Sequence, residues 1–277
     1  MFSPLLRMLG RALADYLSQP SAAYRPEVAT DAQTLAAALR PGDVLLVEGD
    51  LRISTVIKYL TRSRWSHAAL YVGDAVAGED GKREPMLVEA DLRSGVRVVP
   101  LRAYAAFHTR ICRPVGLSPA DLRRVIDTVV ARIGQPYDLK NVMDLARYLF
   151  PVPVPRSWRR TVLELGSGEP TKAICSTLIA QAFQAVRYPI LPRITRVPAE
   201  DTTCAEWVME ILHSRHHSLY APCDFDLSPY FQVVKPSVEA GFDYKALRWA
   251  DQSPPSSDQP AAWNPALPLP ALERLAA

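Results

Sequence analysis

Lys172-Ala173-Ile174-Cys175-Ser176-Thr177-Leu178-Ile179 is the stretch on which the reading of the fold turns. Leu178, Ile179, Ala182, Phe183 and Val186 recur at helical spacing, so the run reads as the start of an amphipathic helix laid on a core. The breaker cluster Gly166-Ser167-Gly168-Glu169-Pro170-Thr171 ends whatever precedes it. Cys175 falls in the first turn. There, unpaired backbone N–H groups and the positive end of the helix dipole favour an anionic sulfur. A small buried hydrophobe is the competing account of such a cysteine. A nucleophile needs a base.

Working outward, the base is found upstream in Arg64-Trp65-Ser66-His67-Ala68-Ala69-Leu70-Tyr71-Val72-Gly73-Asp74. His67 to Val72 reads as a short apolar strand closed by a Gly-Asp turn, with His67 at its first residue. The next strand, Met86-Leu87-Val88-Glu89-Ala90, places Leu87 and Glu89 on one face by period-2 alternation. Glu89 is positioned to accept the second ring N–H of His67, fixing its tautomer and stabilising the imidazolium. The structural alternatives are a turn-bonding histidine and an edge charge that blocks aggregation. A helix-start cysteine with a histidine and an acid on successive strands is the parts list of thiol hydrolysis. Papain-like enzymes run Cys, His, polar residue; here the order is His67, Glu89, Cys175. Circular permutation produces that order without altering the site, which geometry defines.

These residues carry a resemblance. Arg40-Pro41-Gly42-Asp43-Val44-Leu45-Leu46-Val47, Ile53 to Thr61, Ser66-His67 and Val88-Glu89-Ala90 look like the permuted papain-like hydrolases of the YaeF/YiiX group, within the NlpC-like superfamily. So do Gly95-Val96-Arg97-Val98, Gly134-Gln135-Pro136-Tyr137-Asp138 and Ile174 to Ile179, and the similarity covers roughly residues 39 to 200. The resemblance implies a catalytic triad of Cys175, His67 and Glu89. A common family version has Ser-Glu-Leu after the cysteine, where this chain has Ser176-Thr177-Leu178. That departure bears on substrate preference more than on the chemistry.

Length and composition fit a soluble globular protein: 277 residues, 48% hydrophobic and 22% charged, with a net charge of +3 that does not argue for nucleic acid. Four cysteines in a chain this long, with no secretory leader, predict reduced thiols and a cytoplasmic protein. No run of about eighteen apolar residues is present to span a bilayer. Phe2, Leu5, Leu6, Leu9, Ala12, Leu13, Tyr16 and Leu17 form an amphipathic stripe, so residues 1–17 either pack on the core or touch a membrane surface peripherally. No Gly-rich phosphate loop or dinucleotide fingerprint occurs, and no cofactor is implied. His213 and His217 at i, i+4, with Cys204 and Cys223, match no common zinc spacing and predict no metal site.

The expected fold is α+β: a small antiparallel sheet packed on the Cys175 helix with extra flanking helices, as a circularly permuted papain-like (NlpC-like) fold. Three regions are expected: a helical extension over 1–38, the hydrolase domain over 39–250, and a tail over 251–277, where six prolines fall within 251–270. Strands are predicted at Val44 to Val47, His67 to Val72, Leu87 to Ala90, Val96 to Val99, Thr109 to Cys112 and Leu227 to Val234. Helices are predicted at 29–39, 53–60, 119–133, 139–149, after Cys175, and at 205–212, with 151–155 extended and 188–198 a proline-broken loop. The expected function is cleavage of an amide or ester through an acyl-thioester, on a lipid, acylated small molecule or peptide. The alternatives are a lipid acyltransferase with the same triad and a non-catalytic membrane-surface module.

Overall fold

Val44–Val47 (β1) is buried along its whole length, as a strand covered on both faces must be. It lies inside a six-stranded antiparallel sheet of order β4-β3-β2-β1-β5-β8, where β2 is His67–Gly73, β3 Met86–Asp91, β4 Gly95–Pro100, β5 Thr109–Pro114 and β8 Phe231–Val234. The computed structural model describes residues 15–21, 30–77, 81, 84–136, 174–198, 208–243 and 245. Expectations for residues 1–14, 137–173, Cys204 and the tail from 251 lie outside these.

Alternation along the strands sorts side chains into two cores. Leu46, Ala68, Leu70, Val88 and Ala90 face the helix Ile174–Ala185 (α4), whose Leu178, Ile179, Ala182 and Phe183 are buried against them. This is the face that the sequence spacing assigned to the helix. The helix α3 (Pro119–Val130) packs beside α4. It begins as expected, with Ser118 Oγ accepting the Asp121 N–H at 3.1 Å and Pro119 in the first turn. On the opposite face Leu45, Ala69, Tyr71, Leu87 and Ile111 meet the helix α1 (Ala32–Ala38) and the 3-10 turn Leu101–Tyr104. The protein is thus α+β, an antiparallel sheet with the cysteine helix on one face.

The β3–β4 hairpin sets a register that matters for the site. Asp91 Oδ1 accepts N–H bonds from Arg93 and Ser94 at 3.0 and 2.8 Å, and Gly95 follows at φ +72°. A Cβ at Gly95 would sit 2.2 Å from the Gln135 carbonyl oxygen, so the turn excludes any side chain. Counting back from the turn, Glu89 pairs with Arg97.

Three expectations are corrected. Within 188–198, expected as loop, Arg193–Pro198 is a strand (β6), and within 205–212, expected as helix, Val208–His213 is its antiparallel partner (β7). Ile194, Thr195 and Val197 on one strand and Val208 and Ile211 on the other have β-branched side chains, and strand pairing overrode the helix propensity of Met209, Glu210 and Leu212. Pro198 ends its strand, where a missing N–H is tolerated. The expected strand from Leu227 starts at Phe231, because Cys223–Leu227 forms a short helix (α5).

Residues 15–17 are helical, and Leu17 is fully buried in the main core. Among the described residues no helix is long and apolar enough to cross a membrane.

Candidate active site

His67 is the first residue of β2 and shares a face with Ala69 and Tyr71, by alternation. Glu89 shares a face of β3 with Leu87, and Tyr71 pairs with Leu87. The two polar side chains therefore stand on one face of adjacent strands, and His67 Nε2 lies 2.6 Å from Glu89 Oε2. Glu89 is 1% exposed, an environment a carboxylate tolerates only with partners. It has three. Arg97 donates to Oε1 through Nε at 2.9 Å and Nη2 at 2.8 Å. The Tyr104 hydroxyl donates to Oε2 beside His67.

The cysteine arrives from the other face. Cys175 is the second residue of α4, which packs on β2 and β3. Ser176, its neighbour, is buried and donates its hydroxyl to the Tyr220 carbonyl, fixing the start of the helix. Because His67 stands at the end of β2, its ring and the Cys175 side chain line the same cavity, and Cys175 acts on the ring electrostatically. Nε2 is taken by Glu89, which leaves Nδ1 for the sulfur. The structure thus brings Cys175, His67 and Glu89 together around one cavity, with His67 and Glu89 in direct contact.

The electrostatics follow from that packing. Burial works against a charged His67, but the Glu89 carboxylate, Cys175 and the hydrogen bond to Glu89 outweigh it, and the histidine pKa stands well above 6.5. Burial likewise opposes charge on Glu89. His67, Tyr104 and Arg97 overcome it and hold the carboxyl at about 2. Burial and the adjoining carboxylate push the Tyr104 phenol well above its usual range, so it stays a donor. Burial also pushes the Cys112 thiol far up and Cys223 up to about 11, which keeps both protonated at neutral pH. Cys112, Cys175 and Cys223 are free thiols.

A cavity of about 260 Å3 opens beside these groups, touching Cys175, His67 and Glu89. Its other walls are largely apolar, with Leu51, Ile53, Ile57, Leu92, Val99 and Phe107 among them. Ser66, singled out beside His67, lines it too, and its Oγ accepts the Gly49 N–H at 2.9 Å, tying the loop after β1 to the start of β2.

Other candidates resolve differently. His213 ends β7 while His217 begins a 3-10 turn, so the two share no helix face. Among the described residues no group of three or more His, Cys, Asp or Glu side chains is placed to hold a metal ion. His108 lies 3.2 Å from Glu48 and tilts against the Trp65 ring, a packing role.

Sequence reading missed Arg97 and Tyr104. Arg97 was legible in principle, since counting back from the Gly95 turn puts it opposite Glu89. Tyr104 sits in a 3-10 turn after β4, and no periodicity points from there into the sheet.

Residues 38–150 match the family model of the permuted papain-like amidase enzymes, YaeF/YiiX, C92 family. This stretch contains His67 and Glu89 and stops short of Cys175. No curated protein matches the chain. Among solved structures, a crystal structure described as the metalloprotein YiiX from Escherichia coli O157:H7 aligns with 72% of this chain and 97% of its own. The sequence identity there is 15% and the TM-score 0.43. Over residues 38–150 the chain thus carries the pattern of the YaeF/YiiX permuted papain-like amidases, and that match supports an enzyme that hydrolyses amide bonds.

Proposed function

We propose that the chain is a cysteine hydrolase that cleaves an amide or ester through a thioester on Cys175. The observation that carries the reading is His67, bonded to buried Glu89 and set beside Cys175 at the wall of one apolar cavity. His67 holds the proton of Cys175 while the sulfur attacks the carbonyl carbon and the carbonyl π pair moves to oxygen. Backbone N–H groups at the start of α4, including that of Cys175, face the resulting oxyanion. Collapse of the intermediate expels the amine or alcohol, which takes the proton from His67. Water then gives a proton to His67, attacks the thioester and releases the carboxylic acid and the thiol.

Glu89 orients the ring and stabilises its charged form, while Arg97 and Tyr104 orient Glu89. The apolar walls favour an acyl group with hydrocarbon character, as in a lipid or acylated small molecule. The test is hydrolysis of a panel of aryl amides and esters by wild-type, Cys175→Ser and His67→Ala proteins. Turnover that survives Cys175→Ser would reject the reading. Product analysis with added alcohols and amines shows whether water or another acceptor resolves the thioester, which separates a hydrolase from an acyltransferase.

A further inference from the structure

The family match begins at residue 38, yet one wall of the cavity beside Cys175 comes from before it. Ser18 lines the cavity together with Leu51 and Leu92. The short segment that carries it is fastened on every side. Leu17 is fully buried in the main core. The Ser21 N–H donates to the Asp50 carbonyl at 2.7 Å, and the Gln19 carbonyl accepts the Arg52 N–H at 2.9 Å. Pro20 and Leu51 form a β-bridge. Toward solvent, the Arg52 guanidinium lies 4.2 Å from the Tyr16 ring centroid, and Arg93 Nε pairs with Asp15 at 3.0 Å. These bonds run to the loop before helix α2 (Arg52–Thr61) and to the β3–β4 turn, the same two places that supply Leu51 and Leu92.

We propose that residues 15–21 are a specificity element of the site, closing the cavity beside Cys175 and setting the length of apolar acyl chain it accepts. This rests on reading Cys175 as the group that takes the acyl chain. At about 260 Å3 the cavity exceeds the ~150 Å3 apolar cavity that admits a benzene molecule. With about 30 Å3 for each water-sized group, it takes roughly eight of them. Serine at position 18 leaves that volume open. A phenyl ring there occupies about half of it. Each methylene moved out of apolar contact changes affinity by about fourfold, so losing room for about four of them costs roughly two-hundredfold.

The experiment is labelling of the full-length protein with methyl and octyl methanethiosulfonate. In each reaction the Cys175 sulfur takes the alkylthio group as a mixed disulfide and methanesulfinate leaves. Rates at Cys175 are read by peptide mass spectrometry in wild type, Ser18→Phe and Ser18→Leu. The expected result is an octyl-to-methyl rate ratio at least tenfold lower in Ser18→Phe, with a smaller drop in Ser18→Leu and an unchanged methyl rate in both. Should the Phe variant fold poorly, the Leu variant carries the same comparison. An unchanged ratio, or an equal fall with both reagents, overturns the proposal. Labelling needs no hydrolysis, so a protein that labels at Cys175 yet cleaves nothing sinks the hydrolase reading and leaves this test intact.

Discussion

Replacing Glu89 with Gln isolates the charge at the centre of the site. Against the opposing effect of burial, the partners His67, Tyr104 and Arg97 hold the Glu89 carboxyl at about 2, where a free one has 4.5. At about 1.36 kcal/mol for each pH unit, that difference corresponds to roughly 3 kcal/mol of folding stability. The sign follows from the direction. A lowered folded-state pKa stabilises above pH 4.5, and the contribution is lost as pH falls toward 2. The amide introduced by Glu89→Gln has no such dependence, and Arg97, with a side chain 45% exposed, returns readily to water.

His67 adds a second effect. Its raised pKa stabilises the fold fully below 6.5 and loses that contribution as pH climbs through the folded-state value. Without the carboxylate, the largest contribution that raises it is gone. Glu89→Gln should therefore lower the melting temperature at pH 6 by roughly 6–12 °C, at about 2–4 °C per kcal/mol. Thermal melts followed by circular dichroism from pH 6 down to pH 2.5 provide the assay. The gap between variant and wild type should shrink as pH falls below 4.5. Equal melting at pH 6, or a gap that stays constant down to pH 2.5, would refute the assignment of Glu89 as a buried, ionised anchor.

The remaining predictions are more local. Tyr104→Phe keeps the ring contact with Phe107 but removes the hydroxyl that donates to Glu89; urea titration should show a loss of about 2 kcal/mol. The same variant should raise the Glu89 pKa, seen as an acid limb of the pH–rate profile moved to higher pH. Asp43→Asn breaks the bidentate pair with Arg113, whose Nε and Nη2 lie 3.0 and 2.8 Å from the two carboxylate oxygens. It should cost about 3–5 kcal/mol in urea while leaving labelling of Cys175 unchanged. Gly95→Ala forces a side chain into positive φ and into the Gln135 carbonyl, and should destabilise by at least about 2 kcal/mol in the same assay. Wild-type activity should persist above pH 6.5, and in Glu89→Gln its alkaline limb should move to lower pH, because the anion that raises the His67 pKa is gone.

How much of this was legible depended on the kind of signal. The α4 face was written in the spacing of Leu178, Ile179, Ala182 and Phe183, since a single helix on a single sheet leaves one apolar stripe. His67 and Glu89 were legible because period-2 alternation and an apolar strand context leave few reasons for a polar side chain there. Their meeting with Cys175 across the end of the sheet was legible only through the resemblance to the permuted papain-like hydrolases, since strand order and helix placement are long-range facts that local patterns do not carry. The β6–β7 hairpin escaped because Pro189, Pro192 and Pro198 suggest a loop, and because 208–212 is composed of residues that suit either state. Pairing decided between them. Tyr104 was invisible for a related reason: it reaches Glu89 from a 3-10 turn, fifteen residues along the chain.

The central claim is that Cys175 carries the acyl group with His67 as its base. Intact-protein mass spectrometry after rapid acid quench, during incubation with acyl amides and esters, tests it most directly. The account predicts an acyl adduct that maps to Cys175, forms at least about a thousandfold more slowly in His67→Ala, and is absent from Cys175→Ser. An adduct on Cys112 or Cys223, or one that forms equally fast without His67, would contradict it.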